Sequence, residues 1–199
     1  MPAIHRLLPT LVFCFLSTLA VAQVEEASGW KTRLQFHAES AYGPWPLAGS
    51  AAYAGIEQAV NFPREWGQGA AGYGMRLGST LAYSGVRNAL GFGLDTVLHQ
   101  DPRYMRSADA GFWRRMGHAF LGTVLTRTDS GKQTFATWRV GSAYGATFLS
   151  NEWYPERLNT VKLGFTQGTS QMGFDLIGNL GREFLPDIKK SLRRAFLAR

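Results

Sequence analysis

Between Trp66 and Leu98 the chain places eight glycines, at positions 67, 69, 72, 74, 78, 85, 91 and 93. Laid on a helix at about 100° per residue, Gly67, Ala71, Gly74, Gly78, Ala82, Gly85 and Ala89 fall in one narrow stripe, which lets a second backbone come close. Each interior glycine costs a helix about 0.8–1 kcal/mol relative to alanine. Such a helix forms only where packing on neighbours offsets roughly 8 kcal/mol. The spacing therefore predicts a central helix over 66–98 with its small stripe turned inward, bent where Gly91, Phe92 and Gly93 follow one another.

Shorter helices are expected around it. Leu34, Ala38 and Ala41 share a helical face in 31–42, although Leu34, Phe36 and Ala38 also alternate as a strand would. Gly43-Pro-Trp-Pro46 interrupts, and Tyr53, Ile56 and Val60 then share a face in 47–61, which stops before Pro63. Asp101-Pro102 signals a turn. Trp113, Met116, Phe120 and Val124 mark the packed face of a helix over 112–125. Thr128-Asp-Ser-Gly131 breaks the pattern, and Gly141, Gly145 and Ala146 form a second small patch within 135–153. The fold class predicted is all-α: one domain, a bundle of about six helices closely packed through Gly and Ala. Residues 23–45 are an N-terminal lead and short helix, 46–185 the helical domain, and 186–199 a basic amphipathic C-terminal helix.

The alternative is an outer-membrane β-barrel, which 23 glycines and 13% aromatic residues in an exported chain suggest. Alternation rarely lasts the roughly 9–11 residues that a spanning strand needs. Asn-Gly and Asp-Gly hairpin turns are absent, and the chain ends in a basic segment rather than an apolar strand.

His5 and Arg6 precede an apolar run from Leu7 to Leu19, and Ala20-Val21-Ala22 follows it: a secretory signal cut after Ala22. Cys14, the only cysteine, leaves with residues 1–22, so no thiol, disulfide or cysteine metal site is expected in the mature chain. With 45% apolar and 18% charged residues, the remainder suits one globular domain. The formal charge of +7 falls to +6 when Arg6 is removed. For a protein in the periplasm or at the outer membrane, this charge points to anionic lipid or envelope polysaccharide and away from nucleic acid. Candidate contacts are Arg76 and Arg87, opposite the small stripe, and Lys189, Lys190, Arg193 and Arg194, whose helix carries Ile188, Leu192 and Phe196 on its other face. The competing reading of Arg76 and Arg87 pairs them with carboxylates such as Glu152 or Glu183.

Chemical motifs are sparse. Thr128–Thr134 lacks the first glycine and the final Ser/Thr of a phosphate loop, and no Gly-x-Ser-x-Gly elbow is present. Asn88, Asp95 and His99 lie within about 40° of one another on the central helix, where an Asp one turn before a His can orient its imidazole or share a metal. Asp95 and His99, with His118 from the next helix, are the catalytic candidates of a metal- or His/Asp-dependent envelope hydrolase. The structural account pairs Asp95 with His99 near a helix C-terminus. No cofactor is expected. The favoured expectation is a non-enzymatic helical protein of the envelope, acting by association with lipid or other envelope components, or by self-association through the stripe.

Four blocks carry a resemblance: Glu65-Trp-Gly-Gln-Gly-Ala-Ala-Gly-Tyr-Gly74, Leu98-His-Gln-Asp-Pro-Arg-Tyr104, Thr126-Arg-Thr-Asp-Ser-Gly-Lys132 and Ser150-Asn-Glu-Trp-Tyr-Pro155. Together they resemble a group of small exported bacterial proteins of no known function. The resemblance implies export and a shared fold, and it carries no activity, ligand or catalytic residue.

Overall fold

A computed structural model describes residues 29–197. The signal cleavage expected after Ala22, and Cys14, lie outside them. Among the described residues six α-helices build the fold: α1 (Trp30–Tyr42), α2 (Pro44–Ala59), α3 (Gly69–Val97), α4 (Phe112–Val124), α5 (Thr137–Ser150) and α6 (Val161–Leu197). Among the described residues the only paired strands are β1 (Leu125–Arg127) and β2 (Gln133–Phe135), an antiparallel hairpin. The chain is therefore an all-α bundle and not a barrel. Helix α3 is central and packs on α1, α2 and α5, while α6 packs on α4 and α5.

Local chemistry explains the boundaries. Pro44 opens α2, where its fixed φ is already helical and its missing N–H is no loss. Helix α3 runs unbroken through Gly91 and Gly93 and closes in a Schellman turn. There the Gln100 N–H donates to the Asp95 carbonyl at 2.9 Å and His99, at φ +52°, donates to Thr96 at 3.4 Å. Gly131, at φ +80°, tightens the hairpin, and Thr128 N–H donates to the Lys132 carbonyl at 2.8 Å. Helix α6 continues through Pro186, so the tail extends that helix rather than forming one of its own. Pro186 offers no N–H to the Arg182 carbonyl, and Arg106 Nε caps the next carbonyl, that of Glu183, at 3.0 Å.

Except for Trp138, buried on α5, each helix turns a face of small and polar residues inward and leaves its most exposed large apolar side chains outside. The buried positions are Arg33, His37 and Ala41 on α1, Ser50, Ala54 and Glu57 on α2, and Ala119 and Thr123 on α4. Leu34, Tyr53, Ile56, Val60, Trp113 and Phe120, expected to pack, are all exposed. The extremes decide the matter: Arg76, Asp95 and Glu183 are 0% exposed, whereas Trp45 is 86% and Trp113 and Phe196 are each 78% exposed.

This inversion corrects the predicted seam. Gly67 precedes α3 at φ +68°, and Ala71, Gly74, Gly78, Ala82 and Ala89 are exposed; Gly85 alone meets a neighbour, the Tyr42 hydroxyl. The buried face of α3 is Gly72, Arg76, Ser79, Gly91 and Asp95, centred on roughly the opposite side of the helix. Sequence reading chose the small apolar stripe, but the buried arginine and aspartate needed oxygen and nitrogen partners that only the interior supplies. Close packing does occur at other predicted glycines. A Cβ on Gly141 or Gly145 would stand 2.9 or 3.2 Å from Leu94 and Leu90 of α3, and one on Gly164 would stand 2.7 Å from Phe148.

Two substitutions separate the faces. Gly72→Ala drives a methyl into the Gly67 carbonyl and to 2.9 Å from Arg76 Nη1, and is expected to destabilise by about 1–3 kcal/mol. Gly78→Ala meets nothing within 4 Å and is expected to stabilise by about 0.8–1 kcal/mol through helix propensity. Urea unfolding of both proteins checks the opposite signs.

Candidate functional site

The interior holds three linked polar clusters. In the first, α1 meets α3. His37 Nε2 lies 2.8 Å from Asp95 Oδ2, and Nδ1 lies 3.1 Å from Asn88 Oδ1. The Asn88 amide donates to the Ser84 carbonyl at 2.9 Å, which fixes its oxygen toward the imidazole, so both ring nitrogens face acceptors. Arg33 Nη1 donates to the Asp95 carbonyl at 2.7 Å, lies 3.5 Å from Asp95 Oδ1, and also reaches the Gln100 carbonyl; its Nη2 reaches Asp129. Asn88 and Asp95 thus join a histidine as expected, but it is His37 and not His99.

His99 sits exposed at the helix end with Nδ1 3.3 Å from Asp129 Oδ2, because the left-handed turn that closes α3 swings it off the Asp95 face. His118 stands elsewhere, against the Tyr104 hydroxyl at 3.1 Å. The three catalytic candidates Asp95, His99 and His118 are therefore held by three separate partners, and the hydrolase grouping is corrected on that ground.

The second cluster surrounds Glu183 of α6. Arg115 Nε donates to Oε1 at 2.8 Å, while the Tyr104 hydroxyl at 2.8 Å and the Ser107 N–H at 3.1 Å donate to Oε2. Burial pushes this carboxyl's pKa up, but the bonds from Arg115, Ser107 and Tyr104 together outweigh it and hold the pKa below the ordinary carboxylate value. Since the single phenol proton goes to Glu183, His118 Nδ1 faces the phenol oxygen as a donor. Asp187, 2.7 Å from Arg115 and 2.5 Å from Arg106, completes the knot.

The third cluster centres on Arg139 of α5. It is 5% exposed, stacks over its neighbour Trp138 at 4.8 Å, and donates from Nη1 to the carbonyls of Gly122 and Thr123, the latter at 3.2 Å. Among the described residues no carboxylate lies within ion-pair distance of it. Burial pushes its pKa down to about 10. Two cavities share Arg139 as a wall. The larger, about 440 Å³, lies between α4 and the hairpin, where Asp101 grips Arg103 through both carboxylate oxygens. The smaller, about 250 Å³, is lined from α1, α3, α5 and α6 and includes Arg87, Arg182, Asp175, Tyr83 and Trp138.

The predicted anion contacts are corrected in part. Arg76 is buried and donates to the carbonyls of Phe62 at 2.7 Å, Pro63 at 2.8 Å and Gly67 at 2.8 Å, and to the Gln58 side chain, so it caps turns instead of meeting lipid. Arg87 pairs with Asp175 at 2.5 Å, a carboxylate partner as one reading required, though neither of the two named. Lys189, Lys190, Arg193 and Arg194 are exposed, and so are Ile188, Leu192 and Phe196 on the same helix.

Sequence reasoning missed Arg33, His37, Glu57 and Arg139. Their signal is a polar residue recurring at helical spacing among small ones, as in Arg33, His37 and Ala41, which apolar periodicity does not register. Glu57 is an acid pushed far from its ordinary value. Among the described residues one of its buried oxygens has no hydrogen-bond partner, and burial raises its pKa to about 7 against the opposing pull of Arg76. Compared with protein-family models, curated proteins and solved structures, the chain gives no match.

A pH prediction follows from Glu57. Its folded pKa of about 7 lies above the unfolded value of 4.5, so the folded state keeps a proton that the unfolded state has released. This group's contribution is fully present below pH 4.5 and is lost as pH rises through 7. The loss is on the order of 3 kcal/mol. Glu57→Gln is expected to flatten the fall in urea midpoint between pH 5 and pH 8, checked by unfolding both proteins across that range.

Proposed function

We propose that the protein is a non-enzymatic helical component of the cell envelope, exported by its N-terminal leader, and that it works by burying an apolar exterior against membrane lipid. The observation that carries this reading is the inverted distribution: charged groups sealed inside and large apolar side chains outside. In water such an exterior is unfavourable by about 25 cal/mol for each Å² of apolar surface. Polar groups turned toward a bundle interior and apolar ones turned outward suit a lipid environment. Among the described residues no helix is long and apolar enough to cross a membrane, and the contact proposed is one of faces rather than spans. The end of α6 supports the same reading, with Ile188, Leu192 and Phe196 uncovered beside four cations.

Flotation with phosphatidylethanolamine–phosphatidylglycerol vesicles tests it. The full mature chain is expected to float with the vesicles, and a chain ending at Leu185 to float less and with weaker salt dependence, since each basic residue near an anionic surface contributes about 1 kcal/mol. A full chain that stays at the bottom of the gradient at low salt overturns the reading.

A second reading rests on the exposed stripe of α3, where Ala71, Gly74, Gly78, Ala82 and Ala89 offer a smooth face to another copy. It predicts that Gly78→Leu lowers the mass measured by light scattering while circular dichroism keeps its helical signal. An unchanged mass removes this reading.

A further inference from the structure

We propose that the smaller cavity, between α1, α3, α5 and α6, is a binding site for a phosphate-type oxyanion held by Arg139 with Arg87 and Arg182. The charge balance of the cavity points there first. Three guanidinium groups line it against one carboxylate, Asp175, and that carboxylate already pairs with Arg87 at 2.5 Å. Among the described residues the Arg182 side chain reaches only the Asn179 side-chain oxygen, at 3.3 Å. Arg139 is nine-tenths buried and rests on two backbone carbonyls, which accept hydrogen bonds but do not neutralise charge. Burying a cation that has no counter-ion carries a desolvation cost that carbonyl acceptors offset only in part. An entering oxyanion offsets that cost and finds the planar donor arrays suited to phosphate.

Unused donors in the walls are a second and independent observation. Among the described residues neither the buried Tyr83 hydroxyl nor the buried Trp138 Nε1 has a hydrogen-bond partner, and both residues line this cavity. Buried donors left unpaired are costly, and a polar ligand in the cavity is the partner each lacks. Volume and lining set the ligand's size. About 250 Å³ admits a phosphate with a short organic substituent, and Phe36, Phe174 and Pro102 supply apolar wall for that part. The phosphate comes either from a small soluble molecule or from a lipid headgroup, and the chemistry recognised is the same. The inference stands apart from the lipid reading, because the cavity lies among the helices and not on the apolar exterior.

The test is thermal unfolding of the mature protein titrated with inorganic phosphate and with glycerol 3-phosphate, against sodium chloride of equal ionic strength. The proposal expects a saturable rise in Tm with one or both phosphates that chloride does not reproduce. Arg139→Gln removes the charge while leaving a polar side chain, and is expected to raise the half-saturating concentration at least tenfold. Arg182→Gln, at an exposed position of the wall, gives the same direction should the first variant fail to fold. Arg157→Gln, a surface partner of Glu65, is the control expected to leave the titration unchanged. If soluble phosphates have no effect, the lipid arm uses phosphatidylglycerol against phosphatidylcholine in detergent micelles. A rise there that Arg139→Gln and Arg182→Gln abolish assigns the site to a headgroup. No specific rise in either arm, or a rise that both variants retain in full, overturns the proposal.

Discussion

A guanidinium taken out of water has to be met by oxygen, and the architecture of this bundle follows from how its buried and half-buried arginines are met. Arg33 ties α1 to the end of α3 and to the hairpin, Arg76 ties α3 to the turn before it, Arg115 ties α4 to α6, and Arg139 ties α5 to the end of α4. Each tether spends the polar groups of one helix on the backbone or side chains of another. Removing one member of such a pair strands its partner in a low-dielectric interior, which is why the network behaves as a unit. Close approach of backbones matters in the same way. Gly72 leaves room for the Arg76 guanidinium beside the Gly67 carbonyl, and Gly91 leaves room for the His37 ring.

The four sequence blocks become spatial pairs. Trp66 packs against Tyr154, ring centroids 5.0 Å apart, joining the first block to the last. Glu65 pairs with Arg157 just beyond the last block, and Trp153 Nε1 donates to Ser79, just beyond the first, at 3.0 Å. At the other end the Asp101 N–H donates to the Arg127 carbonyl at 2.7 Å and Thr126 returns a bond to the Asp101 carbonyl at 2.6 Å. Asp129 N–H meets the His99 carbonyl at 2.9 Å, so the middle two blocks close on each other. These bonds frame the larger cavity and seat Arg33 and Gln100, which makes the motifs a record of loop closure as much as of chemistry.

An interior occupied by charge leaves the apolar residues outside, and that displacement connects fold to function. The same helices that seal Asp95 and Glu183 present Trp45, Trp113, Ile56 and Phe120 outward. Glu57 shows what the interior does to an acid that has not found a full set of partners: its proton is held to neutral pH. Arg139 shows the complement, a cation with carbonyls but no counter-charge, between two cavities.

Most of the helices were legible in the residues, though neither the β1–β2 hairpin nor the run of α6 through Pro186 was. The helices, the break at 128–131, the stop after Leu98 and the small patch of α5 were visible because glycine, proline and periodicity act locally on φ and ψ. Facing was not legible. Choosing which side of an amphipathic helix turns inward assumes that water lies outside and that apolar groups shun it, and here Leu34, Tyr53 and Trp113 lie on the side that assumption would bury. Nor could spacing alone reveal that Asp95 pairs with His37, 58 residues earlier, instead of His99 on its own helix turn. That choice arises when α1 is laid along α3 and the left-handed residue at the helix end turns His99 away, so composition and periodicity told how the chain coils, and the meeting of buried charges told which way each coil looks.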